Sequence, residues 1–264
     1  MISLLRICLL ILLLVLLHSL LVGAQEKKEE KKEYLLDSVQ EKRFIGEIKL
    51  PLTLITAGVL VKTIPYVDRK LQNALAWNKD ILDGVSQSNP KYINTYDDQL
   101  RFLPPIAAYA MNLFGLKSKH RFIDRSAILA VSYVVSDMVV HRLKKATQNY
   151  RPDRPITVKD YSFPSQHTAM AFVGATFLHR ELGHHSPWIS VAGYSVATWV
   201  GMSRIFKNRH WSSDVLVGAG VGILCTNLTY MGYDWFMGKY GAKLNIMPTV
   251  FEGNQWGMTL VANF

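Results

Sequence analysis

The sequence predicts an all-α protein, a helical bundle followed by a short C-terminal β-hairpin. Three observations predict it. From Tyr34 onward the apolar residues recur at helical spacing in long runs. Prolines punctuate those runs at Pro51, Pro104, Pro105, Pro152 and Pro164, where helices break or begin. Only the tail changes period, to strict alternation around the turn-forming Glu252-Gly253-Asn254.

Residues 1–24 read as a signal peptide: a weakly basic start, an apolar core from Ile7 to Leu21, and small residues at Val22-Gly23-Ala24. That core, about 15 residues, is shorter than the roughly 20 a spanning helix needs. Residues 25–33 (QEKKEEKKE) form a charged linker. The helical domain is expected over 34–240. Its first segment, Glu41 to Lys62, is apolar and broken by Pro51, and Tyr66 to Leu82 is amphipathic. Thr95 to Leu116 starts with a capping-box-like Thr95-x-x-Asp98 and runs through Pro104-Pro105. Arg125 to Tyr150 is a long apolar helix with a basic end, and His167 to Leu182, Trp188 to Phe206 and Ser212 to Lys239 complete the set. The hairpin occupies 241–264, with Met258, Leu260, Ala262 and Phe264 on one face.

The chain has 264 residues and a formal charge of +10. With Arg6 the only charge in the leader, the exported chain stays near +9. That excess suits an anionic partner: a phosphate ester or an anionic membrane surface. No nucleic-acid module accompanies it. Mean hydropathy is +0.10. The leader carries so much of this that the remainder averages about −0.1, and no later segment reaches 18 apolar residues without a charge. A soluble or peripherally membrane-associated protein of the periplasm is expected. Beyond the leader Cys225 stands alone, so no internal disulfide forms, and its apolar neighbours make it a buried hydrophobe. His184-His185 lack a carboxylate or cysteine spaced to complete a metal site, so no metal is expected.

Chemistry concentrates between Lys144 and Asp214 in three segments. The first is Lys144-x6-Arg151-Pro152, where Pro152 stops a helix and leaves two cations about two turns apart at its end. The second is Phe163-Pro164-Ser165-Gln166-His167-Thr168, whose Pro and Ser open a helix and present free N–H groups and a hydroxyl to an anion, with His167 in the first turn. The third is Ser203-Arg204-x5-His210-x3-Asp214. His210 and Asp214, four apart, share a face if that turn is helical, and Arg204 adds a planar fork for phosphate oxygens.

In order, spacing and residue type these segments resemble the signature of the type 2 phosphatidic acid phosphatase superfamily: K-x6-RP, then PSGH, then SR-x5-H-x3-D. That superfamily includes lipid phosphate phosphatases, bacterial class A acid phosphatases and vanadium haloperoxidases. The resemblance runs from about Arg125 to Trp235 and departs at one signature position, Gln166 in place of Gly. It implies a helical bundle with its active site at converging helix ends, and no cofactor, although vanadate could occupy the phosphate site as an inhibitor. It implies His210 as nucleophile, Asp214 as the residue that orients it, and His167 as the acid that protonates the leaving oxygen. Lys144, Arg151 and Arg204 would clamp the phosphate, with Ser165 and the Gln166 N–H completing the cradle. Neither histidine is expected to supply core volume.

The reading that follows is an exported, metal-independent phosphatase working through a phosphohistidine. Its substrate would be a lipid phosphate, a prenyl (di)phosphate or a lipid A phosphate. A nonspecific soluble acid phosphatase and a vanadate-dependent haloperoxidase are the alternatives. The sequence says nothing of oligomeric state. Around the motifs, Asp137, His141 and Lys144 form a polar stripe on one helix face, Trp211 reads as a packing anchor, and Arg154 as a surface residue near the clamp.

Overall fold

The computed structural model describes residues 35–76, 98–152, 160–240, 244–251 and 255–262. The expected signal peptide and linker, Thr95, Arg154 and Phe264 lie outside the described residues. The elements are α1 (Leu35–Thr63), α2 (Pro65–Ala76), α3 (Leu103–Leu113), α4 (Phe122–Thr147), α5 (Gln166–Leu182), α6 (Pro187–Phe206), α7 (Ser212–Tyr240), β1 (Leu244–Phe251) and β2 (Gln255–Ala262).

The chain divides into two compact units, Met1–Asn227 and Leu228–Phe264. In the second, β1 and β2 pair antiparallel from Leu244↔Ala262 to Phe251↔Gln255. The first holds the helices that carry the site.

Pro51 does not break α1, which continues through it over 29 residues. A mid-helix proline strips the carbonyl four residues earlier of its partner. Here that carbonyl belongs to Glu47, and the Asn227 amide donates to it at 2.8 Å, which removes the penalty for running on. At α3 the chain makes a separate turn over 98–102 before the helix begins at Leu103, with its prolines in the first turn, where missing N–H groups cost nothing. α4 stops at Thr147, earlier than Tyr150. Gln148 turns left-handed (φ 48°, ψ 37°) and gives its N–H to the Lys144 carbonyl.

α5 is the central helix: eleven of its 17 residues are buried, which only a helix covered on nearly all sides can show. One core cluster joins it to α1, α4 and α7 through Ile55, Val140, Phe163, Ala169, Val217, Val221 and Cys225. A second joins it to α6 through Ala171, Ala175, Ala197 and Val200. Cys225 is thus the buried hydrophobe expected of it.

The α5–α7 seam is set by absent side chains. A Cβ on Gly218 would stand 2.6 Å from the Ser165 carbonyl oxygen, and one on Gly222 would stand 2.3 Å from that of Ala169. No real Cβ sits that close to backbone, so the two helices touch main chain to main chain. This brings the start of α5 against the start of α7, and the Ser165 N–H donates to the Asp214 carbonyl at 3.0 Å.

α1 over Phe44–Thr63 and α7 over Ser212–Gly238 are each long and apolar enough to cross a membrane, with 28% and 61% of their windows buried. A rule that admitted no charge overlooked both. In α1 the Glu47 carboxylate is paired with Arg180 of α5 at 2.5 Å, and a charge neutralised inside the bundle does not bar a helix from lipid.

Candidate active site

The three motifs meet where the N-termini of α5 and α7 face the C-termini of α4 and α6. His210 lies one residue ahead of the position that caps α7, outside the helix. It meets Asp214 because the chain turns into the helix between them, not because the two share a helical face. Asp214 sits in the first turn, and its Oδ2 accepts the Trp211 N–H at 2.9 Å, the back-reaching half of a capping box. The same oxygen lies 3.3 Å from His210 Nδ1.

That bond fixes the imidazole. With Nδ1–H given to Asp214, His210 Nε2 carries the lone pair, and Arg151 Nη1 donates to it at 3.3 Å. Burial pushes the His210 pKa down and the charges of Arg151 and Lys144 push the same way, against the pull of Asp214. The ring is neutral at neutral pH.

Arg151 is held by the chain that follows it. Tyr150 and Tyr161 form a β-bridge, Ser162 N–H donates to Asn149 O at 2.7 Å, and the Trp211 indole donates to Tyr150 O at 3.0 Å. Trp211 thus ties the segment to the start of α7 through a hydrogen bond. The Arg151 guanidinium reaches Arg209 O at 3.2 Å and the Asp160 carboxylate at 3.0 Å.

Lys144 donates to the carbonyls of Tyr161 and Ser162 at 2.8 and 3.1 Å. It thereby braces the approach to α5. Burial, reinforced by Arg151, lowers its pKa to about 8. A lysine so depressed is charged below that pH and neutral above it, so the clamp loses a cation as pH rises through about 8. The KM for a phosphomonoester is therefore expected to climb on the alkaline side of pH 8 while kcat changes less. Lys144→Gln should raise KM at every pH and erase the limb. A wild-type KM flat between about pH 7 and 10 would contradict this assignment.

Ser165, fully buried, takes the N-cap position of α5 without making a side-chain cap. Its hydroxyl accepts from Thr168 Oγ1 at 2.9 Å. The Gln166 side chain turns to α4 and donates to Asp137 Oδ1 at 2.5 Å. This leaves the backbone N–H as its contribution to an anion. Asp137 also pairs with His141 at 3.3 Å. Of the stripe on α4, Asp137 thus holds Gln166, while Lys144 turns to the Tyr161 and Ser162 carbonyls.

Arg204, almost fully buried, and His167, partly exposed, share one carboxylate. Asp98 Oδ1 lies 2.5 Å from Arg204 Nη2 and 3.1 Å from His167 Nε2. Burial, then the charges of Arg204 and Arg101, take the His167 pKa down to about 3 against the opposing pull of Asp98. Beside Asp98 the ring is neutral at neutral pH.

All eight predicted residues come to this end of the bundle. Sequence reasoning missed three more. Asp98 has the local pattern of a cap, Thr95-x-x-Asp98. Lys62, in the last turn of α1, stands 4.0 Å from Asp214 Oδ1. Asp68 of α2, also buried, accepts the Ser213 hydroxyl at 2.6 Å and its N–H at 3.3 Å. Together Lys62 and Asp68 hold the first turn of α7 from behind. Among the described residues no group of three or more His, Cys, Asp or Glu side chains is arranged to hold a metal ion.

Residues 125–237 match the family model described as PAP2 superfamily. The matched residues make up less than half of the chain. Among them are all eight predicted site residues, while Lys62, Asp68 and Asp98 precede them. The chain is 42% identical over 135 residues to the lipid A 1-phosphatase of Porphyromonas gingivalis, a match covering 51% of this chain and 30% of that protein. It is 32% identical over 122 residues to the lipid A 1-phosphatase of Rhizobium etli, covering 40% and 50%. The chain thus spans half or less of these two relatives. Among solved structures it is similar to a transmembrane PAP2-type phosphatidylglycerolphosphate phosphatase from Bacillus subtilis. That likeness is 19% identical, covers 72% of this chain and 96% of the other, and has a TM-score of 0.49. Each of these proteins is a phosphatase by name.

Proposed function

We propose that the helical domain hydrolyses a phosphomonoester of a membrane lipid, with lipid A phosphate the leading candidate, through a phosphohistidine. The observation that carries this is the buried His210: one nitrogen held by Asp214, the other presenting its lone pair beside the Arg151 guanidinium. A phosphate bound to Arg151 sits in front of a nucleophile already in the correct tautomer. His210 Nε2 attacks phosphorus as the bond to the leaving oxygen breaks, and His167, which takes up a proton when the anionic phosphate binds beside it, passes that proton to the leaving oxygen. Water then attacks phosphorus, His167 takes its proton, and His210 leaves as the neutral imidazole. Arg151, Arg204 and Lys144 neutralise the equatorial oxygens, and the N–H groups at the start of α5 add donors.

A lipid substrate is supported by the named relatives and by the surface. Leu50, Ile106, Val134, Met138 and Trp199 all stand exposed, on α1, α3, α4 and α6. Apolar exposure on four helices argues for a body associated with a membrane and against a freely soluble one. With the signal peptide expected ahead of it, the domain works on the exported side.

The deciding experiment is phosphate release in EDTA by the protein in detergent. The panel is lipid A, phosphatidate, a prenyl diphosphate and p-nitrophenyl phosphate. Release led by lipid A supports the reading. Release confined to p-nitrophenyl phosphate would favour the soluble acid phosphatase. No release, with bromide oxidised on adding vanadate, would favour the haloperoxidase.

A further inference from the structure

Arg204 is only half used. Its Nη2 is on Asp98, while its buried Nε has no hydrogen-bond partner among the described residues. A guanidinium offers a fork suited to two oxygens of one anion, and Asp98 supplies one. That same oxygen also meets His167, so a single carboxylate oxygen bridges a clamp cation and the acid of the proposed reaction. Its position between them is where a phosphate oxygen would have to lie to touch both. Asp98 itself is half exposed and stands on a short turn ahead of α3, where a rotamer change displaces no core residue. Arg101, three residues along, interacts electrostatically with Asp98 and offers the carboxylate a cation to stay beside.

From this geometry we infer that Asp98 is an internal anion that fills the phosphate subsite between Arg204 and His167 and is displaced by the phosphate of the substrate. This rests on the phosphatase reading and deepens it. Asp98 keeps two anion-binding groups paired and lowers affinity for every anion that must replace it. When phosphate enters, Arg204 gains a partner for Nε as well as Nη2, and His167 faces the leaving oxygen. The apparent affinity of a site open only part of the time falls by the fraction open, so removing the occupant recovers that factor.

The test is binding of inorganic phosphate to the full chain in detergent at fixed salt, by calorimetry. Wild type, Asp98→Asn and Asp98→Ala are compared, with Asp124→Asn as control. Asp124 lies in the first turn of α4, about 30 Å along the helix from Lys144, so it reports the bare effect of one lost negative charge. Phosphate is expected to bind about tenfold tighter to both Asp98 variants if the clamp stands open about one part in ten. Affinity should be unchanged in the control, and KM for p-nitrophenyl phosphate should fall in parallel. Weaker binding would overturn the proposal, since Asp98 would then be a brace for Arg204. Equal affinity in wild type and variants, with hydrolysis intact, would overturn it while leaving the phosphatase reading standing. Absence of phosphate binding and of hydrolysis in every variant would overturn both.

Discussion

Replacing His210 by glutamine is expected to lower kcat by about four orders of magnitude or more, since the covalent route ends with its nucleophile. Glutamine is the better probe than alanine. His210 is 2% exposed, so the expectation that its removal costs no core volume does not hold. Alanine would open a void against the Asp214 carboxylate and strip it of a hydrogen bond, at a cost of about 1–3 kcal/mol. Glutamine fills most of the space and can still donate to Asp214. Thermal melting alongside kinetics separates the two effects. A glutamine variant that melts near wild type and retains more than about a tenth of the activity would rule out His210 as nucleophile.

His167→Ala carries the second large effect, and its size should depend on the leaving group. His167 is partly exposed, so truncation leaves the fold intact. For a lipid phosphate, whose leaving group is a sugar or alkyl hydroxyl, loss of the proton donor should cost about 10²–10⁴ in kcat/KM. For p-nitrophenyl phosphate the departing phenolate needs no proton, and the loss should be at least tenfold smaller. Equal losses on both would mean that His167 binds phosphate and donates no proton.

The residues with local chemistry were legible in the sequence. Lys144, Arg151, His167, Arg204, His210 and Asp214 declared themselves because each lies at a helix end, next to a proline or a cap, within a span of about seventy residues. The helix boundaries there were legible for the same reason. What could not be read was contact at long range. Asp98 reaches Arg204 across 106 residues and Asp68 reaches Ser213 across 145, and sequence spacing carries no trace of either. Asp98 also had an innocent local explanation, a cap, that used up its signal. Lys62 had another, a basic residue complementing the end of α1. Pro51 misled in the opposite direction: a break was the correct local inference, and only Asn227, 176 positions on, cancels it.

The glycine contacts between α5 and α7 bear on how this catalyst can change. Where two helices meet through side chains, their separation can drift as those side chains are exchanged, and a reaction centre between them can be retuned in small steps. Here Gly218 and Gly222 bring α7 against the carbonyl oxygens of Ser165 and Ala169. The spacing between the nucleophile and the N–H groups at the start of α5 is thus a hard stop with no graded neighbours. Variation in substrate preference has to come from elsewhere, from Gln166 and Asp137 at the rim and from the segments around Asp98. The seam itself works like the fixed jaw of a vice, against which the movable parts can be adjusted.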